Sequence, residues 1–136
     1  MRILFCEDDK DLGHAIHLML CETGHEVDYV VNADQGVALF DASLNSAPYD
    51  LILTDVEMDG HSGLYLASHA RTMGFKGRLA VLTGYEKEKV LPQLQQVKAE
   101  YWSKMSAFDG LSRMVSGIDS PTAEGMMGVI KFNGDS

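Results

Sequence analysis

Glu7-Asp8-Asp9, Thr54-Asp55, Thr83-Gly84 and Ser103-Lys104 each follow a short apolar run. Together they offer carboxylates, hydroxyls and one ammonium. Carboxylates brought close to one another repel and raise each other's pKa unless a cation joins them. Hard oxygen ligands in small number suit Mg2+ (or Mn2+), which keeps several waters and needs one or two carboxylates plus a phosphate oxygen. In such a set one carboxylate can act as nucleophile toward a phosphoryl group and become an aspartyl phosphate. That transfer depends on charge neutralisation more than on acid–base chemistry, and Lys104 beside a divalent cation would provide it. The Thr83 hydroxyl would donate a hydrogen bond to the same phosphoryl oxygens.

This chemistry requires the four stretches to meet. Ile3 to Cys6, Leu51 to Leu53 and Leu79 to Leu82 are compact, unalternating apolar runs, the pattern of strands buried on both faces. Val27 to Val31 and Tyr101-Trp102 are weaker strand candidates. Helical periodicity lies between them. Leu12, Ile16, Met19 and Leu20 share a face after Asp11, with Gly24 as a C-terminal stop; Val37, Phe40 and Leu44 follow Asp34 as N-cap. Leu64, Ala67 and His69-Ala70 run to Gly74. Val90, Leu94 and Val97 make a fourth stripe, with Pro92 placed near its first turn, and Phe108, Leu111, Met114, Val115 and Ile118 a fifth. Five strand–helix repeats imply a parallel α/β sheet covered by helices on both faces. In such sheets ligands sit beyond the carboxyl ends of the strands, where the polar stretches fall.

The composition restricts the partners. The chain has 136 residues, 46% of them apolar, with 11 Lys and Arg against 20 Asp and Glu, for a net charge of −9. That is one domain with a core of its own. The acidic balance argues against direct nucleic-acid binding and against an anionic membrane surface. No apolar run approaches the roughly 20 residues of a membrane span, and the N-terminus meets Glu7 too early for a signal peptide. Two cysteines, Cys6 and Cys21, make neither a metal spacing nor a disulfide framework, so a reducing cytoplasm is the expected compartment.

Four segments also carry a family resemblance. Ile3-Leu4-Phe5-Cys6-Glu7-Asp8-Asp9, Tyr49 through Asp55 to Gly60, Leu82-Thr83-Gly84 and Tyr101-Trp102-Ser103-Lys104 resemble, in order, the motifs of the receiver domain of two-component response regulators. The resemblance covers residues 1–119 and leaves 120–136 as a tail or interaction segment. It implies a flavodoxin-like, doubly wound (βα)5 fold with a five-stranded parallel sheet. It implies Asp55 as phosphoacceptor, Glu7 and Asp8 as the acidic pair holding Mg2+, and the Glu57 main-chain carbonyl as a further ligand. Lys104 would be the phosphoryl counter-ion, and Thr83 and Tyr101 the switch pair drawn inward by phosphorylation. Glu57 and Tyr85 would flank the path of the hydrolytic water, with the bulky Tyr85 shielding the acyl phosphate. A histidine kinase or phosphotransfer protein would supply the phosphoryl group. The face made by the fourth helix, fifth strand and fifth helix would dock a target protein or a second copy of the chain. Such a protein is not an enzyme beyond its own phosphorylation and dephosphorylation. Two departures stand out: Asp59 and Met105 occupy positions where the family often has Pro, adding a charge near the pocket and removing a disposition to a cis peptide after Lys104.

Rival readings are a degenerate receiver used as a phosphorylation-independent binding module and a haloacid-dehalogenase-type phosphohydrolase. The second fits poorly, because Asp55-Val56-Glu57 lacks the second Asp that serves as general acid there. A nucleotide-binding domain would need a Gly-rich loop after the first strand, which Glu7-Asp8-Asp9 is not. His14, His17 and Cys21 share a helix face opposite Leu12, Ile16 and Met19 and read as a solvated surface. Cys6 and Trp102 read as packing residues.

Overall fold

The computed structural model describes residues 1–58 and 60–104. The expected fifth helix, the tail, Asp59 and Met105 lie outside the described residues. Five strands, β1 (Arg2–Cys6), β2 (Glu26–Val30), β3 (Leu51–Asp55), β4 (Arg78–Thr83) and β5 (Glu100–Ser103), alternate with four helices. The helices are α1 (Lys10–Glu22), α2 (Ala33–Ser43), α3 (Gly63–Thr72) and α4 (Lys87–Val97). All strand pairs are parallel, in the order β2-β1-β3-β4-β5. The expected flavodoxin-like sheet is therefore present, and the reversal of strand order beside β1 leaves a crevice at the carboxyl ends of β1 and β3.

The unalternating apolar runs have the predicted cause. β3 is buried along its whole length, and successive side chains enter opposite cores. Ile3, Phe5, Leu51, Leu53, Ala80, Leu82 and Trp102 pack with Leu12, Ile16 and Leu20 of α1 on one face. Leu4, Cys6, Ile52, Leu79, Val81 and Tyr101 pack on the other face with residues of α2, α3 and α4.

Several local expectations are corrected. The N-cap of α1 is Asp9, whose Oδ1 accepts from the amides of Asp11 and Leu12, so the helix begins ahead of Asp11. Asn32 rather than Asp34 caps α2, accepting from Gln35 N–H at 2.8 Å; Asp34 lies within the first turn. Leu44 is the exposed C-cap residue of α2 and not a core member. Pro92 sits inside α4, beyond its first turn, where its missing N–H leaves the Glu88 carbonyl without its helical donor. His17 is half-buried, and both His14 and His17 rings lie 5.7 Å from the Tyr29 ring, so that face is packed in part and not simply solvated.

Candidate functional site

The site is built from strand ends. Glu7 follows β1 and Asp55 closes β3; both carboxylates are fully buried. Oxygens of Glu7, Asp8 and Asp55 lie within 4.8 Å of one another. Backbone contacts hold Glu7 in place: its N–H donates to Val30 O at 3.1 Å, and its carbonyl accepts the Tyr29 hydroxyl at 2.9 Å. Gly63, the first residue of α3, allows that helix to start against β3, because a Cβ there would overlap the Asp55 carbonyl oxygen.

The two buried carboxylates are satisfied unequally. Asp55 Oδ2 accepts from Lys104 Nζ at 2.7 Å, and Oδ1 accepts from Glu57 N–H at 3.0 Å. Glu7 Oε2 accepts from Asp9 N–H at 3.1 Å. Glu7 Oε1 is buried with no hydrogen bond and has Lys104 Nζ only at 3.5 Å. Burial, followed by the neighbouring Asp55 carboxyl, pushes Glu7 up to about 8. Burial also raises Asp55, against the opposing pull of Lys104 and the Glu57 N–H. Lys104 is held above its ordinary value: burial works against the charge, but the Asp55 and Glu7 carboxylates outweigh it. Beneath the acids, burial raises the Cys6 thiol to about 12, leaving it a small apolar filler.

A crowded acidic trio with one buried oxygen lacking a hydrogen bond is the donor set a hard divalent cation completes. Glu7, Asp8 and Asp55 fit such an ion; Asp9 does not take part, being engaged as the α1 cap.

The second half of the site lies on the loop after β4. Thr83 is fully buried, and its hydroxyl donates to Glu57 Oε1 at 2.7 Å while accepting Tyr85 N–H at 3.0 Å. Gly84 N–H donates to the same Glu57 oxygen at 2.9 Å. Tyr101 is 8% exposed, and its hydroxyl donates to the Tyr85 carbonyl at 2.7 Å. Tyr101 is thus buried and tied to the loop after β4. Tyr85 is tied through its backbone while its residue surface remains 47% exposed.

Residues 3–116 match the family of response regulator receiver domains. The chain belongs to that family. Among curated relatives, the transcriptional regulatory protein DltR of Streptococcus agalactiae is 32% identical over 83 residues, 61% of this chain and 35% of that protein. The two-component response regulator PhoP of Pseudomonas aeruginosa is 35% identical over the same shares of the two chains. The alignment thus spans about 35% of the length of these relatives. The response regulator TrrA of Thermotoga maritima, solved in complex with Mg2+-BeF, has TM-score 0.66 at 30% identity, covering 85% of this chain and 96% of that one. The phosphorylated cyanobacterial phytochrome response regulator RcpA shares the fold with TM-score 0.74 at 21% identity, covering 86% and 89%. Receiver domains bind Mg2+ at an acidic pocket and act between histidine kinases and downstream effectors.

The residues named from sequence accordingly meet at one rim: Glu7, Asp8, Asp55 and Lys104 in one group, Thr83, Glu57, Tyr85 and Tyr101 in an adjoining one. Sequence reasoning missed the Glu57 side chain as acceptor for Thr83 and Gly84, Gly63 as the spacer beneath Asp55, and Tyr29 as the support of Glu7. An acidic residue two places after the strand-end Asp was the available signal for the first. Among the described residues no helix is long and apolar enough to cross a membrane.

Proposed function

We propose that this receiver domain, extending over residues 1–119, accepts a phosphoryl group on Asp55 from a histidine kinase or phosphotransfer protein of the cytoplasm. The observation that carries this reading is the buried Asp55 carboxylate, held by Lys104 at 2.7 Å beside the Glu7–Asp8 pair. Glu7, Asp8, Asp55 and the Glu57 main-chain carbonyl would hold Mg2+ or Mn2+. When bound, that cation neutralises phosphoryl oxygens. An Asp55 oxygen forms the new bond to phosphorus as the bond to the donor's imidazole nitrogen breaks; that nitrogen keeps the electron pair and is protonated on release. Lys104 neutralises charge spread over the transferring group, and Thr83 donates to one of its oxygens. Thr83, the Tyr85 backbone and Tyr101 then link the pocket to the face of α4 and β5, where a target protein or a second copy of the chain docks. Nothing is turned over other than the domain's own acyl phosphate, so the reading is of a signalling protein and not of a classical enzyme.

Intact mass after incubation with Mg2+ and acetyl phosphate tests this. One phosphoryl adduct is expected, absent without Mg2+ and absent in Asp55→Asn. A second reading, a phosphorylation-independent binding module, draws support from the Tyr101 ring being buried already. Folded protein that binds neither an adduct nor beryllofluoride would favour it.

A further inference from the structure

The donor proposed for a phosphoryl oxygen, Thr83, and the Gly84 N–H beside it already have an anion. Thr83 has one hydroxyl proton and Gly84 one N–H, and both are directed at Glu57 Oε1, at 2.7 and 2.9 Å. Neither donor can serve a phosphoryl oxygen in the same geometry while that carboxylate remains. Glu57 is an exposed residue on the loop after β3, so its side chain can leave for solvent without repacking the core. We propose that the Glu57 carboxylate is a resident internal anion, occupying the donor pair of the phosphoryl site and leaving it when the phosphoryl group arrives. This rests on the phosphoacceptor reading of Asp55.

The consequence is twofold. The incoming group must displace a carboxylate, which weakens the pocket's hold on it. The loop, however, exchanges one anion for another and keeps its place. The unbroken series Glu57–Thr83–Tyr85–Tyr101, each link at 2.7 to 3.0 Å, accounts for the buried Tyr101 ring. Glu57 thus holds the loop after β4 in its engaged arrangement with its own carboxylate.

The test is beryllofluoride binding in the presence of Mg2+, followed by fluorescence of the buried Trp102, in wild type, Glu57→Gln and Glu57→Ala. Glu57→Ala should bind at least roughly tenfold tighter, the scale of a single hydrogen bond to a charged group. Glu57→Gln, which keeps a carbonyl acceptor but no charge, should gain less. Amide exchange at Gly84 should quicken in Glu57→Ala alone and slow again with beryllofluoride. A Glu57→Ala affinity no tighter than wild type overturns the proposal. Equal gains in the two variants also overturn it, since charge repulsion without occupancy would then suffice. A matching gain in Mg2+ affinity measured without beryllofluoride does the same. If wild type forms the phosphoryl adduct and any of these results appears, only the internal anion falls. If neither adduct nor beryllofluoride binding is seen in any variant, the phosphoacceptor reading falls with it.

Discussion

At the amino end of the sheet, arginines are spent on fastening; at the carboxyl end, carboxylates outnumber the cation set against them. Arg71, at the end of α3, donates to the carbonyls of Phe75, Gly77, Val97 and Lys98 at 2.7 to 3.0 Å, tying together the approaches to β4 and β5. Arg78 makes a two-pronged pair with Glu100 at 2.7 and 2.8 Å. Arg2 reaches Ala47 O and Glu26 while its guanidinium lies 4.9 Å from the centre of the Tyr49 ring. A planar guanidinium spreads its charge over several fixed donors and suits such bridging. At the other end, Lys104 bridges Asp55 and Glu7, and Glu7 Oε1 has no hydrogen bond. The lesson is that a fold can keep one charged rim unsatisfied when the opposite rim and two apolar faces carry the stability.

The comparison is broken most sharply by Asp55→Asn. Phosphoryl adduct should vanish completely, while the Mg2+-free melting temperature should rise, because a buried carboxylate whose charge burial disfavours is replaced by a neutral amide. A lower melting temperature would mean that the acidic rim contributes to fastening after all.

Arg71→Met is the reverse experiment. Loss of its four carbonyl contacts should cost about 3 kcal/mol in urea unfolding, with adduct formation intact wherever the protein is folded.

A smaller effect separates the ends by pH. Glu7 is raised from 4.5 to about 8, so across that window the folded, Mg2+-free protein keeps a proton that the unfolded chain has released. Its stability contribution is complete below 4.5 and is lost as pH climbs toward about 8. The fall from this group should not exceed about 1.4 kcal/mol per pH unit. Urea midpoints in EDTA should show the slope, and Glu7→Gln should flatten it.

Smallest of all is Lys98→Gly. Lys98 has φ 54°, in the left-handed region, at the C-terminus of α4, and its carbonyl accepts from Arg71. Glycine there should stabilise the amino end by about 1 kcal/mol, with no change in beryllofluoride affinity.

The sheet and the acidic rim were legible because their signals are local. Ile3 to Cys6 and Leu51 to Leu53 announce strands buried on both faces, and a polar residue after such a strand can only lie at the carboxyl rim. Caps were less legible. Asn32 and Asp34 are both good capping types, and only the chain's entry angle into α2 decides between them. Pro92 was misplaced for a related reason: its stripe of Val90, Leu94 and Val97 begins later than the helix, which starts at Lys87.

By itself the sequence determined which residues reach the rim and which chemistry they offer, because strand periodicity and parallel connection send them there whatever the details. Only the tertiary structure decided what those residues do to one another. Thr83 and Glu57 are 26 positions apart, as are Arg71 and Val97. Whether a side chain so distant arrives at 2.7 Å depends on helix placement and rotamer. Neither leaves a mark in local sequence, and so the Glu57 carboxylate on Thr83 and Gly84, and the buried Tyr101 ring behind them, became visible only once the chain was folded.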